Sequence, residues 1–558
     1  MPGTEEGQDR EPRRLQARRG FSVSYLGRTL LSMVDPEGQA ERAAFAAPVM
    51  DRTLYFCPSP LYGYGLSSLL SRISADSAVL CVETDENLMA LSLAVPGAPW
   101  DGNPSIRLVR TAGVEALCAF VRKTWGSRRF RRVIVLRFSG GWQLAPELYE
   151  ALAAALRDDI AVDWSNAMTV VKLGRRFIRN AVRNLPLIPR SRPLGGLHFG
   201  DAPALVLGAG PSLDCILEGL SAAFGDLSGK RPRPFRIICV DTALGSLKER
   251  DIKPDMAVVL ESQHWNLRDF IGLGSWKIPT AMDLSALPAA GEILGDCPRL
   301  FATPWTPLRI FDRLEEAGIL PEVFPPLGSV GLTAAALARR LCGGPVIFGG
   351  LDFAFTDGAF HAKGTPGRRE RLRSQTRLSG LINAAAYRPG LVPARAKNGA
   401  PVRTDPALRG YRDLFEREFA RELRFWDIEG PGLPLGLRML PLKEALKLLG
   451  SAPVSKQDAG GWESDAFIDE NRRDALRHFM RRERQALAEL RDILSGASGI
   501  PCVHLEEGLD AADYLWAHFP ECAGAEGLRP PVENLSFLKR VRAEIDPLIA
   551  LWDRGSKE

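Results

Sequence analysis

The sequence has few of the residues that metal centres and disulfide frameworks need. Its 558 residues contain nine cysteines without a C-x-x-C spacing and six histidines without a paired cluster. We therefore predict no metal site and no disulfide framework, and reduced thiols fit a cytoplasmic location. An uninterrupted apolar run of about 18 residues, the length that a membrane span requires, is also missing. The sequence thus predicts a protein with no transmembrane segment.

A strong charge of one sign is missing as well. The chain carries 72 basic and 67 acidic residues, a net charge of +5, and this small surplus is dispersed along the sequence. Nucleic-acid binding is therefore not expected. Residues 1–20 are charged, contain Pro and Gly, and lack the apolar core of a secretion signal, which predicts a disordered tail.

The most informative motif that is present is an apolar run, 204–207, followed by Gly208-Ala-Gly210-Pro211-Ser212. The pattern predicts a buried strand, a glycine turn and a helix start. Glycines let a ligand approach the main chain, and Pro211 suits a first helical turn. Because free N–H groups and the helix dipole attract anions, the turn predicts a phosphate site. The alternative is an ordinary structural turn.

Two further apolar runs end on acids. Residues 235–240 are followed by Asp241, and residues 256–260 by Glu261. In a parallel sheet, ligands bind outside the carboxyl ends of strands, near a change in strand order. We therefore expect Gly210, Asp241 and Glu261 to lie at one edge of the sheet.

An ordered series of short motifs covers roughly residues 195–440. It consists of GAGPSLD from Gly208, VDTAL with Asp241, PD at Pro254, GSV with Ser329 and GLDFAFTDGAFHAKGT from Gly350. This series resembles the flagellin-modifying glycosyltransferases called motility-associated factors (Maf), and it is similar to the related 6-hydroxymethylpterin diphosphokinase MptE-like proteins. The ordered combination is far more specific than a single glycine turn.

The resemblance implies a sialyltransferase-like fold and an O-glycosyltransferase. Such an enzyme would move a nonulosonic, sialic-acid-like sugar from a CMP-activated donor to Ser or Thr of flagellin, with no tightly bound cofactor. By the same resemblance the glycine turn holds the donor phosphate, Asp241 and Glu261 face the ribose or base, and Ser329 contacts the donor. The predicted binding set is Gly208, Gly210, Pro211, Ser212, Asp241, Glu261, Ser329 and Asp352.

Glycosyl transfer also needs a base for the acceptor hydroxyl. Histidine is suited to this role because its ordinary pKa lies close to neutral pH. His361 lies in a glycine-flanked loop just after a predicted strand, so it is the candidate catalytic residue, with His264 in reserve. The alternative is a surface histidine. The basic residues that follow, Lys363 to Arg377, predict either a lid that grips phosphate or a carboxylate, or a solvated helix face.

We expect an α/β protein with a central Rossmann-like, sialyltransferase-like domain at 195–440. A smaller N-terminal α/β domain is predicted at 21–184 and a C-terminal helical domain at 441–558, where apolar residues recur at helical spacing. In the N-terminal domain, a glycine turn after residues 53–57 precedes a strand that ends at Glu83. Its role is either structural and acceptor-docking, or the binding of a second small molecule such as a methyl donor.

Two other functions are compatible with these motifs. A pterin diphosphokinase-like enzyme would bind ATP at the same turn and hold Mg²⁺ through carboxylates such as Asp241, Asp255, Glu261 or Asp352. Alternatively, the chain is a non-catalytic flagellin-binding protein of the same fold. The long accessory domains favour a macromolecular acceptor over a small pterin.

Overall fold

The computed structural model describes residues 11–111, 113–126, 129–274, 276–295, 298–356, 359–380, 389–453, 467–496, 502–522 and 531–555. The chain divides into two compact units. The first comprises 1–172 and 518–529, and the second comprises 173–517 and 530–558. The division falls within a long helix, Pro146–Asn184. The second unit contains the region predicted as the central domain and most of the region predicted as the helical domain, whose residues 518–529 belong to the first unit.

The first unit contains a small antiparallel sheet and a parallel sheet. The antiparallel strands are β1 (Arg13–Gln16), β2 (Phe21–Tyr25) and β3 (Arg28–Thr29). Since β1 lies within 1–20, the predicted disordered tail is wrong for these residues. The parallel sheet has the order β6-β5-β4-β7, with β4 (Thr53–Pro58), β5 (Ala78–Glu83), β6 (Ile106–Arg110) and β7 (Arg132–Val135).

Helices cover both faces of this parallel sheet. On one face, buried Phe56 and Leu80 pack with Leu117 and Leu152, and on the other Tyr55 packs with residues of the first two helices. Burial on both faces explains why β4 and β5 are continuous apolar runs. The helices are α1 (Pro36–Ala46), α2 (Leu66–Leu70), α3 (Glu86–Leu93), α4 (Val114–Trp125) and the start of α5 (Pro146–Asn184).

The second unit is organised around a parallel sheet of order β13-β12-β11-β10-β9-β8-β14-β17-β18. The chain forms β8 first, adds β9 to β13 on one side and then places β14, β17 and β18 on the other. The strands are β8 (Ala204–Leu207), β9 (Arg236–Val240), β10 (Met256–Val259), β11 (Thr280–Asp283), β12 (Arg299–Ala302), β13 (Glu322–Val323), β14 (Val346–Gly349), β17 (Phe425–Ile428) and β18 (Arg438–Leu440). The hairpin β15 (Val392–Arg395) and β16 (Pro401–Thr404) lies outside it.

Helices alternate with these strands, as in a doubly wound α/β fold. They are α6 (Leu213–Phe224), α7 (Leu244–Glu249), α8 (Pro288–Leu294), α9 (Arg309–Glu316), α10 (Val330–Leu341), α11 (Pro366–Ser374), α12 (Pro406–Phe419) and α13 (Leu442–Leu449). Short 3-10 segments include Asp241–Ala243 and His264–Phe270. The predicted mixed α/β fold with a parallel central sheet is confirmed.

The C-terminal part is helical, with α14 (Glu470–Leu494), α15 (Cys502–Ala511) and α16 (Leu535–Gly555). Apolar side chains spaced along α14 and α16 are buried, including Leu476, Phe479 and Ile545. Arg313 of α9 donates to both carboxylate oxygens of Glu483 on α14, at 2.6 and 3.0 Å. This bidentate contact is one of those that join the helical part to the sheet domain within the second unit. No helix among the described residues is long and apolar enough to cross a membrane.

Candidate functional site

The strand order reverses at β8, which lies between β9 and β14. The loops after β8 and β14 therefore leave the sheet side by side, and the crevice outside their carboxyl ends is the usual ligand position in such a fold. Asp241 follows β9 and Glu261 follows β10 at the same edge. The expected meeting of Gly210, Asp241 and Glu261 at one sheet edge is therefore observed.

The glycine turn packs closely against the loop after β14. Gly208 N donates to Gly349 O at 2.8 Å, and Gly210 N donates to Gly350 O at 2.7 Å. A Cβ on Gly208 would lie 2.5 Å from Gly350 O, and one on Gly210 would lie 2.5 Å from Asp352 Oδ2. Neither Gly208 nor Gly210 has a positive φ. Close loop packing, and not an unusual backbone angle, is why glycine is required at both positions.

The start of α6 is capped from within the protein. Asp352 Oδ2 accepts from Ser212 N at 2.7 Å, and Asp352 Oδ1 accepts from Ser212 Oγ at 2.5 Å. Pro211 lies before the N-cap residue Ser212, so it is outside the first helical turn where the sequence places it. The carboxylate of Asp352 thus lies at the start of α6, where the sequence predicts a phosphate site.

A second helix start lies close to this turn. Ser329 is the N-cap of α10, and its hydroxyl makes no capping hydrogen bond. The side chain of Leu351, in the loop after β14, packs against both Gly208 and Gly331. It lies 2.6 Å from the position of a Cβ added to either glycine. The start of α10 is therefore adjacent to the glycine turn, and N–H groups at a helix start are donors suited to an anion.

Three acidic side chains, which we call the strand-end carboxylates, gather at this edge: Asp241, Glu261 and Asp269. Burial raises the pKa of Asp241 to about 8, with a further contribution from the charges of Asp269 and Glu261. Burial likewise raises the pKa of Asp269 to about 6, with Glu261 adding to the effect. At pH 7 the carboxyl of Asp241 is mostly protonated, and its buried Oδ2 has no hydrogen-bond partner among the described residues.

Tyr411 of α12 packs against the residue before the start of α10 and is influenced by the charge of Glu261. Its ring lies 3.3 Å from where a Cβ would stand on Gly328, the residue before Ser329. Burial raises the pKa of the Tyr411 hydroxyl, and the charge of Glu261 raises it further, which places Tyr411 near Glu261. The hydroxyl is therefore a neutral hydrogen-bonding group at this edge.

The basic segment after His361 forms a cleft of about 390 Å³, which we call the arginine cleft. Its lining residues are Arg268, Ala359, Phe360, His361, Gly367, Arg368, Glu370, Arg371 and Ser374. Each of the three arginines has one buried nitrogen for which the described residues provide no hydrogen-bond partner: Nε of Arg268, Nε of Arg368 and Nη1 of Arg371. Guanidinium groups with unused donors are suited to phosphate or carboxylate.

One face of α11 lines the arginine cleft and the other faces water. Arg368 and Arg371, three residues apart, are half-buried, whereas Arg369 and Arg373 are exposed. Glu370 of this helix pairs with Arg268 at 2.6 Å, which links α11 to the segment His264–Phe270. The exposed face agrees with the predicted solvated helix face, whereas anion binding by a lid stays a prediction.

Backbone contacts hold the His361 loop against the glycine turn. Ala362 N donates to Ala209 O at 2.9 Å, and Lys363 N donates to the carboxylate of Asp214 at 3.1 Å. Burial lowers the pKa of His361 to about 4, and the charges of Arg371 and Arg268 lower it further. His361 is therefore a neutral imidazole at pH 7. The reserve candidate His264 is exposed at the start of its 3-10 segment.

Of the four carboxylates that a diphosphokinase could use for Mg²⁺, Asp241 and Glu261 lie at the same sheet edge, but Asp255 and Asp352 are engaged elsewhere. Asp255 precedes β10 at the opposite edge of the sheet, where it accepts from Arg233 at 2.5 Å and from Ile237 N at 2.6 Å. Asp352 is engaged by Ser212. Within the described part of the chain, no three His, Cys, Asp or Glu side chains form a group that could hold a metal ion.

Sequence reasoning missed Arg268, Asp269 and Tyr411, which lie far along the chain from the glycine turn. The segment that holds Arg268 and Asp269 shows no turn or strand signal, and Tyr411 lies on an ordinary amphipathic helix. The three-residue spacing of Arg368 and Arg371 is a signal that does predict a shared helix face.

Comparisons with known proteins agree with this architecture. Residues 175–358 match the family model described as 6-hydroxymethylpterin diphosphokinase MptE-like. A protein from Treponema pallidum (strain Nichols), described as uncharacterized, is 28% identical over 564 residues, which cover 97% of this chain and 95% of that protein. The solved structure of a Maf glycosyltransferase from Magnetospirillum magneticum AMB-1 matches with a TM-score of 0.57 at 14% identity, covering 98% of this chain and 92% of that chain.

The class that these findings define is a large α/β protein with an MptE-like region. More particularly, the chain has the fold of a Maf glycosyltransferase, and the predicted resemblance to both families is confirmed. The MptE-like match ends before His361 and α11. The arginine cleft therefore lies largely outside the matched region.

Proposed function

We propose that this chain is an O-glycosyltransferase that uses a nucleotide-activated acidic sugar, with a CMP-activated nonulosonic acid as the donor and Ser or Thr of flagellin as the acceptor. The observation that carries the proposal is the arginine cleft, where three half-buried guanidinium groups with unused donors lie beside the neutral imidazole of His361. The Maf glycosyltransferase fold supports it.

The arginines would act on the leaving group. Cleavage of the sugar–phosphate bond places negative charge on the nucleotide phosphate, and preorganised donors stabilise that charge in the transition state. Arg268 and Arg371 belong to different elements, and both lower the pKa of His361, so their charges act on one place. The sugar carboxylate of a nonulosonic acid is a second anion of the same kind.

The nucleoside would bind at the strand-end carboxylates and the start of α10. Glu261 is half-buried and offers an acceptor to ribose hydroxyls or to an amino group, whereas Asp241 is fully buried and, being mostly protonated, adds little negative charge at this edge. The unused hydroxyl of Ser329 and the N–H groups of α10 are additional donors. In this proposal Ser212 and Asp352 hold the turn in shape and do not contact the phosphate.

His361 would take the proton of the acceptor hydroxyl. Its low pKa keeps it in the free-base form at neutral pH, but the neighbouring guanidinium charges also make it a weak base. An anionic donor in the cleft offsets those charges and so raises the pKa of His361. The base then becomes stronger when the donor is bound, which couples proton transfer to donor binding.

A thermal-shift experiment on the purified chain tests the donor class. CMP with EDTA should raise the melting temperature, since a ligand at a hundredfold excess over its Kd adds about 2.7 kcal/mol of stability. For a large domain this corresponds to several degrees, at roughly 2–4 °C per kcal/mol. ATP with Mg²⁺ should give a smaller shift.

The MptE-like match supports a second candidate, a pterin diphosphokinase-like enzyme. A larger, Mg²⁺-dependent shift with ATP than with CMP would favour that function and contradict the first proposal. If no nucleotide shifts a chain that circular dichroism shows to be folded, the non-catalytic flagellin-binding alternative is favoured.

The role of His361 is tested by replacement with alanine. Donor binding should stay within a few-fold of the wild-type value, while transfer falls by roughly 10² or more, the usual contribution of a general base. His264→Ala is the matched control and should retain transfer. Equal transfer by His361→Ala and the wild-type chain at early time points would exclude His361 as the base.

A further inference from the structure

The first unit contains a cleft at the place where its own strand order reverses. In the order β6-β5-β4-β7, the chain adds β5 and β6 on one side of β4 and β7 on the other. The cleft, which we call the N-terminal cleft, has a volume of about 330 Å³ and involves the carboxyl ends of β4 and β7. It is lined by residues of β4, β7 and α5 and by Trp142.

The inner wall of the N-terminal cleft is apolar and aromatic. Phe56 and Tyr149 are buried, whereas Val135 and Trp142 are half-buried and keep part of their surface towards the cleft. Two consecutive alanines of α5, Ala153 and Ala154, face the cleft where larger side chains would fill it. The small side chains at these two positions leave room beside the apolar wall.

The rim of the cleft is charged. Arg137 lies over the ring of Trp142 at 4.3 Å and pairs with Glu150 at 3.7 Å. Arg157 is exposed one helical turn beyond Ala153, and no ion pair is found for it among the described residues. Two guanidinium groups therefore face one carboxylate, which leaves the rim positive.

The acid that the sequence suggests for a ribose in this unit is already engaged. Glu83, at the end of β5, accepts from Ser59 Oγ at 2.7 Å, from Tyr149 OH at 3.0 Å and from Thr84 N at 2.9 Å. Burial raises the pKa of Glu83, although these hydrogen bonds act in the opposite direction. The network fixes the ring of Tyr149 as a rigid wall of the cleft and leaves Glu83 no role as a ligand contact.

We propose that the N-terminal cleft binds a second small ligand, a planar aromatic anion of the size of a nucleoside monophosphate. The ring would pack against Trp142, Tyr149 and Val135, and the phosphate would bind Arg157 at the rim. Ligand sites commonly have volumes of about 300–1,000 Å³, and this cleft lies at the lower end. It therefore has room for a mononucleotide and not for a dinucleotide. The proposal is independent of the reaction at the second unit.

The test uses the full chain labelled with 5-fluorotryptophan, so that the fluorine resonance of Trp142 reports ligand binding in the cleft. The chain contains 11 tryptophans, and the resonance of Trp142 is assigned by its loss in Trp142→Phe. AMP, GMP, CMP and UMP are each titrated while the fluorine spectrum is recorded. We expect the Trp142 resonance to shift saturably with at least one of the four. A Trp142 resonance that none of them shifts would overturn the proposal.

Two variants and one control locate the contacts. Arg157→Ala should weaken the binding reported by Trp142 by about tenfold or more, as expected for the loss of a charge-assisted hydrogen bond. Ala154→Leu, at the exposed rim of the cleft, should abolish the shift by filling the space. Arg42→Ala removes a comparably exposed arginine of α1 outside the cleft and should bind like the wild-type chain. Equal affinity in Arg157→Ala and Arg42→Ala would contradict the assigned site.

Discussion

Replacing Arg371 with alanine should weaken donor binding without unfolding the site. Arg371 is half-buried in the arginine cleft, and its Nη1 is buried without a hydrogen-bond partner in the part of the chain that the structure describes. The substitution therefore removes no hydrogen bond at that atom from the folded chain. What it removes is a donor and a positive charge that we assign to the phosphate or carboxylate of the donor.

The size of the effect follows from the kind of contact. A hydrogen bond to a charged group contributes about 1.5–3 kcal/mol, which at about 1.4 kcal/mol per tenfold corresponds to a roughly 10- to 150-fold increase in Kd. Arg373→Ala is the matched control, because Arg373 lies two residues further along α11, is exposed and does not line the cleft. The Kd of Arg373→Ala for CMP should remain within about twofold of the wild-type value, since surface charge contacts contribute about 0–1 kcal/mol.

Calorimetric titration with CMP in EDTA measures both constants, and nuclear magnetic resonance of His361 provides a second readout. Because Arg371 lowers the pKa of His361 below the effect of burial alone, Arg371→Ala should raise that pKa, whereas Arg373→Ala should leave it unchanged. If Arg371→Ala binds CMP as tightly as Arg373→Ala, the arginine cleft is not the anion site.

Three further predictions concern stability. In the folded state Asp241 keeps its proton up to about pH 8, whereas in the unfolded chain it releases the proton above about pH 4. The free energy of unfolding should therefore fall as the pH rises from about 4 to about 8, by on the order of 5 kcal/mol from this group. Asp241→Asn should flatten that part of a urea-denaturation pH profile, and an unchanged profile would contradict the raised pKa. Asp352→Ala removes the cap on Ser212 and should lower the free energy of unfolding by about 1–2 kcal/mol; unchanged urea denaturation would contradict the cap. Gly208→Ala places a Cβ 2.5 Å from Gly350 O and should cost about 1–3 kcal/mol in thermal unfolding, whereas an unaltered melting temperature would refute the close packing.

The strands and their edge could be predicted from the sequence because they depend on local patterns. The apolar runs before Gly208, Asp241 and Glu261 are buried strands, and the parallel sheet does bring their ends together. The long spacing between these motifs and the helical segments between them are sufficient for an α/β assignment.

The use of each polar group could not be predicted, because it depends on partners that are distant in sequence. Ser212 and Asp352 are 140 residues apart, yet the start of α6 is capped because Ser212 N donates to the carboxylate of Asp352. Similarly, Glu83 follows a strand as a nucleotide-binding acid would, but Tyr149 and Ser59 engage it. A strand-end acid in a sequence therefore indicates position and does not by itself indicate a free ligand contact.

The most direct test of the central claim is the intact mass of flagellin that is co-expressed with this chain in cells that make a CMP-activated nonulosonic acid. We predict that flagellin gains the mass of one or more nonulosonic residues with the wild-type chain and with Arg373→Ala, and gains much less with Arg371→Ala or His361→Ala. Flagellin that stays unmodified beside a folded, nucleotide-binding wild-type chain would contradict the account.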